Sequence, residues 1–147
     1  MNKIISLKKI SKSFSSNKKI TVLKKINYSF TKGKIYSLMG PSGSGKSTLL
    51  NILSMIDTPT SGSLLINNNT INFHSNSKND KIRSQKIGII YQQNNLLSDF
   101  TALENVFLAA LALGSDKKDS IKKAKKIIKK MGLSSRENHY PTELSGG

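Results

Sequence analysis

The nine residues Gly40, Pro41, Ser42, Gly43, Ser44, Gly45, Lys46, Ser47 and Thr48 constrain this chain more than any other stretch, because they match the pattern G-x-x-x-x-G-K-[ST]. Glycines at these spacings let successive backbone N–H groups turn inward around an oxyanion. A helix N-terminus immediately behind adds its dipole. Each residue type has a chemical reason: Gly43 and Gly45 keep the backbone tight against phosphate, Lys46 reaches the terminal phosphates as a point charge, and Ser47 offers a hydroxyl to Mg2+. The pattern carries this meaning only between a buried strand and a helix. Residues 34–39 read as that strand and residues 47–55 as the apolar start of that helix.

Taken in order, residues 3–10 and 21–30 read as strands joined by a polar turn, and the turn holds an aromatic, Phe14. That ring is either a core anchor at a strand end or an exposed platform, and periodicity leaves both open. Past the breaker cluster at residues 57–62, strands at 63–66 and 70–73 are expected to form a hairpin, and residues 74–80 a polar loop. His74 and His139 are lone histidines and read as solvated residues. The unbroken apolar run at residues 87–91 predicts a central strand covered on both faces. Gln92 follows it, where open α/β sheets carry their ligands. It either reaches a metal or water beside a terminal phosphate or is an ordinary strand-end amide. A helix over residues 101–113 opens with a capping box, Thr101 and Glu104. A second helix, over 116–131, places Ile121, Ala124, Ile127, Ile128 and Met131 on one face and lysines elsewhere, which reads as a solvated basic face over a core contact. The chain closes on Leu144, Ser145, Gly146 and Gly147, either a second anion-binding nest or a tail.

The 147 residues suffice for one domain. The formal charge of +16 comes from 24 basic against 8 acidic residues, yet only Arg83 and Arg136 are arginines. Bidentate readers of bases and phosphates are usually arginines, so no nucleic-acid partner is expected. Without cysteine there is no disulfide framework, thiol nucleophile or thiolate metal site. The first nine residues are too weakly apolar for a signal peptide, and the longest apolar run, residues 106–113, is too short to span a bilayer.

The phosphate loop, Gln92 and the terminal Leu-Ser-Gly-Gly, in that order, resemble the nucleotide-binding domain of ABC transporters. Residues 96–106 and 131–147 resemble the lipoprotein-releasing (LolD) and macrolide-exporter branch of that family. The resemblance runs from about residue 3 to the end, and it implies an α/β P-loop NTPase with an antiparallel β subdomain and part of a helical subdomain. The whole would be a single partial domain, with residues 1–92 as β-rich core and 93–147 as helical part. It further implies ATP and Mg2+ as cofactors, with Phe14 stacking on adenine where the family more often has Tyr, and residues 40–48 around the phosphates. Ser47 and Gln92 would sit on the metal, and Gln92 would relay to the membrane subunits. Ser145, Gly146 and Gly147 would close over ATP held by a second protomer in a head-to-tail dimer. The implied place is the cytoplasmic face of the inner membrane, beside integral membrane subunits, with lipoprotein as indirect cargo. The family continues with a strand ending in Asp-Glu, whose glutamate is the general base, and with a switch histidine. Neither occurs here, so the chain is expected to be an amino-terminal fragment that keeps Lys46 and Gln92 but lacks the base and part of the parallel core. A nucleotide-binding remnant that does not hydrolyse ATP is the alternative.

Overall fold

A computed structural model describes residues 2–15, 18–93 and 95–145. The chain divides into two compact units, Met1–Ile89 and Ile90–Gly147, and each is described by itself.

The first unit is built on a four-stranded antiparallel sheet of order β2-β1-β3-β4, with β1 at Lys3–Ser15, β2 at Lys19–Thr31, β3 at Ser61–Ile66 and β4 at Asn69–Thr70. Leu7 of β1 stands between Tyr28 of β2 and Leu64 of β3, and Ile10 pairs with Ile26. These positions point to the face that α1, Lys46–Leu53, covers through Ile52. The core cluster joins Leu7, Ile10, Leu23, Ile52, Met55, Leu64, Ile66 and Ile71, and Ile10, Ile52 and Leu64 are fully enclosed. Burying a side chain of that size contributes roughly 1.5–3 kcal/mol. The β1–β2 ladder slips at Lys9 and Lys25, both left-handed with φ near 50°. Such bulges bend a strand, and here Lys9 N–H donates to Asn27 Oδ1 at 2.9 Å and Lys25 N–H to Ser11 Oγ at 3.0 Å. Gly62 lies against the first bulge, where a Cβ would stand 2.4 Å from Lys9 O. No other residue fits there.

The sheet extends the expected strands and corrects one placement: Phe14 lies on β1, paired with Ile20, rather than in a turn. The β3–β4 hairpin forms as expected, through Asn67 and Asn68 with φ of 48° and 65°. Positive φ at both turn residues matches the twist of a two-residue hairpin, and asparagine tolerates it. The strand stops at Thr70, short of residue 73, and Ile71 just past it is buried in the core with its N–H donating to Leu64 O at 2.9 Å. The polar stretch after it is not a loop. It folds as α2, Asn76–Lys86, tied to the end of α1 by Arg83 Nη1 donating to Met55 O at 3.0 Å.

Two predicted strands are absent among the described residues. Residues 34–39 and 87–91 join no sheet: Ile35 is 100 % exposed, Met39 86 % and Ile90 fully exposed. A strand is stable only when neighbours take its N–H and C=O groups, and neither segment has one. Residues 36–38 instead border an apolar cleft of about 390 Å3 with Leu7, Tyr28, Phe30, Leu50 and Leu53.

In the second unit α3, Ala102–Ala112, carries the predicted capping box. Thr101 Oγ1 accepts from Glu104 N–H at 3.3 Å, and Glu104 Oε2 accepts from Thr101 N–H at 2.8 Å. Those hydrogen bonds from Thr101 hold the Glu104 carboxyl below its ordinary pKa. Asn105 binds the preceding loop: its Oδ1 accepts from Leu97 N–H at 2.8 Å and its Nδ2 donates to Phe100 O at 2.9 Å. The remaining first-turn donors are met by Glu137 O and His139 O. His139 is therefore no free solvated residue; its ring stands 2.9 Å from Arg136 Nη1. Helix α4, Lys117–Lys130, is N-capped by Asp116 and packs beside α3. Its buried stripe is Ser120, Ala124 and Ile128, narrower than the periodicity predicts: Ile127 is 52 % exposed and Met131 71 %. No helix among the described residues is long and apolar enough to cross a membrane.

Candidate phosphate site

The loop ahead of α1 is shaped by its glycines. Gly40, Gly43 and Gly45 have φ of 152°, 79° and 92°, all disfavoured for residues with a Cβ. Gly45 is also the cap of α1, and a Cβ there would meet Val22 Cγ1 at 2.8 Å and Leu23 Cδ2 at 3.0 Å. The loop is thus pressed onto β2 at the residue before the lysine. Ser44 N–H closes a turn on Pro41 O at 3.3 Å.

Lys46 opens the helix and bends its chain back over the loop, where Nζ donates to Gly40 O at 2.8 Å and Pro41 O at 2.7 Å. The ammonium is held at the loop mouth by these two carbonyls. No side chain caps α1, and no acidic residue lies in its first turn. The first N–H groups of a helix need partners from outside it, and an anion supplies them. Ser47, exposed, and Thr48, half-buried, follow on that first turn. The donor set fits a phosphate chain, and the Ser47 hydroxyl is a hard oxygen suited to Mg2+. Tyr36 anchors the approach to the loop: its hydroxyl accepts from Thr31 N–H at 2.9 Å, and its ring packs edge-on against Tyr28 and Phe30. The hydrogen bonding with Thr31 keeps the Tyr36 pKa below its ordinary value.

Phe14, in the same unit, is 47 % exposed and does not anchor the core. Lys12 Nζ stands 5.0 Å from its ring centroid. The same ammonium binds Asp57 Oδ1 at 2.6 Å and Thr58 O at 2.7 Å, which fixes the loop after α1 to β1. Sequence reasoning missed Lys12. Its signal was the two-residue spacing to Phe14, which places both on one face of a strand.

Gln92 and Ser145 belong to the second unit, so the structure gathers residues 40–48 and Phe14 in one unit and these two in the other. Gln92 lies exposed in a bend rather than at the end of a strand. Ser145 follows the short 3₁₀ turn Pro141–Glu143, which closes on itself through Tyr140 N–H to Glu143 Oε2 at 2.7 Å. Gly146 and Gly147 lie outside the described residues. No cluster of three metal-ligating side chains occurs among the described residues.

A family described as ABC transporter matches residues 23–147. The chain is 44 % identical over 147 residues to the lipoprotein-releasing system ATP-binding protein LolD of Rickettsia bellii, covering 99 % of this chain and 64 % of that protein. It is 41 % identical over 145 residues to the macrolide export ATP-binding/permease protein MacB of Mannheimia succiniciproducens, covering 98 % of this chain and 23 % of that one. Among solved structures, the dimeric post-hydrolysis state of the ATP-binding cassette MJ0796, bound to ADP and Pi, superposes with a TM-score of 0.88 at 38 % identity, over 97 % of this chain and 64 % of that chain. The chain therefore spans about two-thirds of the length of the LolD relatives it matches.

Proposed function

Because the chain belongs to the ABC transporter family, we propose that it is the ATP-binding part of a transporter ATPase that powers release of lipoproteins from the inner membrane. The observation that carries this reading is the glycine loop opening an uncapped helix with Lys46 Nζ poised over its mouth. Lys46 would leave the Gly40 and Pro41 carbonyls for the terminal phosphates, the loop and α1 N–H groups would hold the remaining oxygens, and Phe14 would stack on adenine. Ser47 and Gln92 would hold Mg2+, which would supply positive charge opposite the transferred phosphoryl group. Gln92 orients the attacking water and couples the site to integral membrane subunits. The signature residues Ser145, Gly146 and Gly147 complete the site of a second protomer head to tail, at the cytoplasmic face of the membrane. Turnover and cargo belong to that assembly. Export of a macrolide or peptide is the second reading, favoured by the likeness to MacB.

The test is isothermal titration of the chain with ATP and Mg2+. Lys46→Ala is expected to weaken binding at least tenfold while circular dichroism stays unchanged, since it removes a charge-assisted contact worth roughly 1.5–3 kcal/mol. Equal affinity in the two proteins would remove the nucleotide site from residues 40–48.

A further inference from the structure

Helix α4 concentrates charge far beyond the rest of the chain: 8 of its 14 residues are lysines, out of 22 lysines in 147 residues. Against them stands one acid on the helix, Asp119, while Asp116 is spent as the N-cap and Glu137 pairs with Lys125 at 3.1 Å. With Ser120, Ala124 and Ile128 turned inward, a helical period of 100° per residue sets Lys126 on the outer surface and Lys123 and Lys130 on the flank between it and Ile127, which borders the buried stripe, with the C-cap Met131 one turn on. Ile127 and Met131 are exposed although their period sets them beside the buried stripe.

We propose that this face of α4 docks on an anionic phospholipid surface, its lysines at the headgroups and Ile127 and Met131 reaching the acyl boundary. Clustered lysines beside apolar residues on one helix are what interfacial binding requires. A nucleic-acid surface is disfavoured by the same residues: α4 holds no arginine and no aromatic ring for reading or stacking on bases. The inference is independent of the nucleotide site and is tested without ATP.

The test is cosedimentation of the whole chain with vesicles of equimolar phosphatidylglycerol and phosphatidylcholine, with phosphatidylcholine alone for comparison. Binding is expected to the anionic vesicles only and to fall steeply with salt. The triple variant Lys123→Gln, Lys126→Gln, Lys130→Gln should bind about a hundredfold more weakly. A charge-matched variant on the sheet, Lys3→Gln, Lys19→Gln, Lys24→Gln, should lose far less. Ile127→Gln with Met131→Gln should lose several-fold on vesicles and nothing on a duplex DNA fragment. Equal losses from the helix and sheet triples would reduce the effect to net charge and overturn the proposal. So would an Ile127/Met131 variant that binds vesicles as the parent does, or no vesicle binding at all by a chain with parental circular dichroism.

Discussion

The phosphate loop has two unequal neighbours. Behind it, α1 is anchored by Ile52 in a closed core, and Gly45 presses on Val22 and Leu23. Ahead of it, residues 34–39 join no strand and are tied down through Tyr36, while Ile35 and Met39 stand in solvent. The loop keeps its shape regardless, because that shape comes from glycine dihedrals, the start of a helix and one contact with β2. A phosphate cradle is thus largely a local device, whereas the apolar run leading into it becomes a strand only with partners it does not make for itself.

Five substitutions test that contrast. The largest effect is expected from Ile52→Ala, which opens the enclosed core and should lower stability by about 2–5 kcal/mol in urea unfolding followed by circular dichroism. Gly45→Ala should come next, at about 1–3 kcal/mol from a left-handed alanine against Val22, and ATP affinity should fall with it because the loop lifts off β2. If affinity survives, contact with β2 is not what shapes the loop. Thr101→Ala, in the self-contained capping box of α3, should lose about 1 kcal/mol. The same box gives a pH signature. Glu104 has a lowered pKa in the folded chain, so its contribution is complete above the unfolded value near 4.3 and disappears as pH falls through the folded value. Glu104→Gln should flatten that acid limb. The smallest effect belongs to Met39→Gln, within about 0.5 kcal/mol, since an exposed side chain loses little. A loss of several kcal/mol there would mean that the segment is packed after all, and the contrast would collapse.

The misreadings follow one physical line. Residues 34–39 and 87–91 have the apolar content of buried strands, but content specifies only what a strand would bury and supplies no partner for its backbone. Residues 74–80 look like loop because Ser, Asn and Asp prefer caps and turns; the helix that takes in most of them, α2, is held by tertiary contacts, Ile82 against the core and Arg83 on Met55 O. Helix α4 was legible in its limits, yet its buried residues are Ser120, Ala124 and Ile128 alone, and periodicity cannot tell how wide a stripe a neighbour will cover.

The phosphate loop, the capped start of α3, the β3–β4 hairpin and the family are legible in the residues alone, because each rests on residues within a few positions of one another or on motifs in fixed order. Packing settles the rest: Phe14 stands out under the Lys12 ammonium, Ile127 and Met131 are left in solvent, and two apolar runs stay out of the sheet. Those outcomes depend on which surfaces meet across long sequence separations, and burial is a property of the pair rather than of either residue.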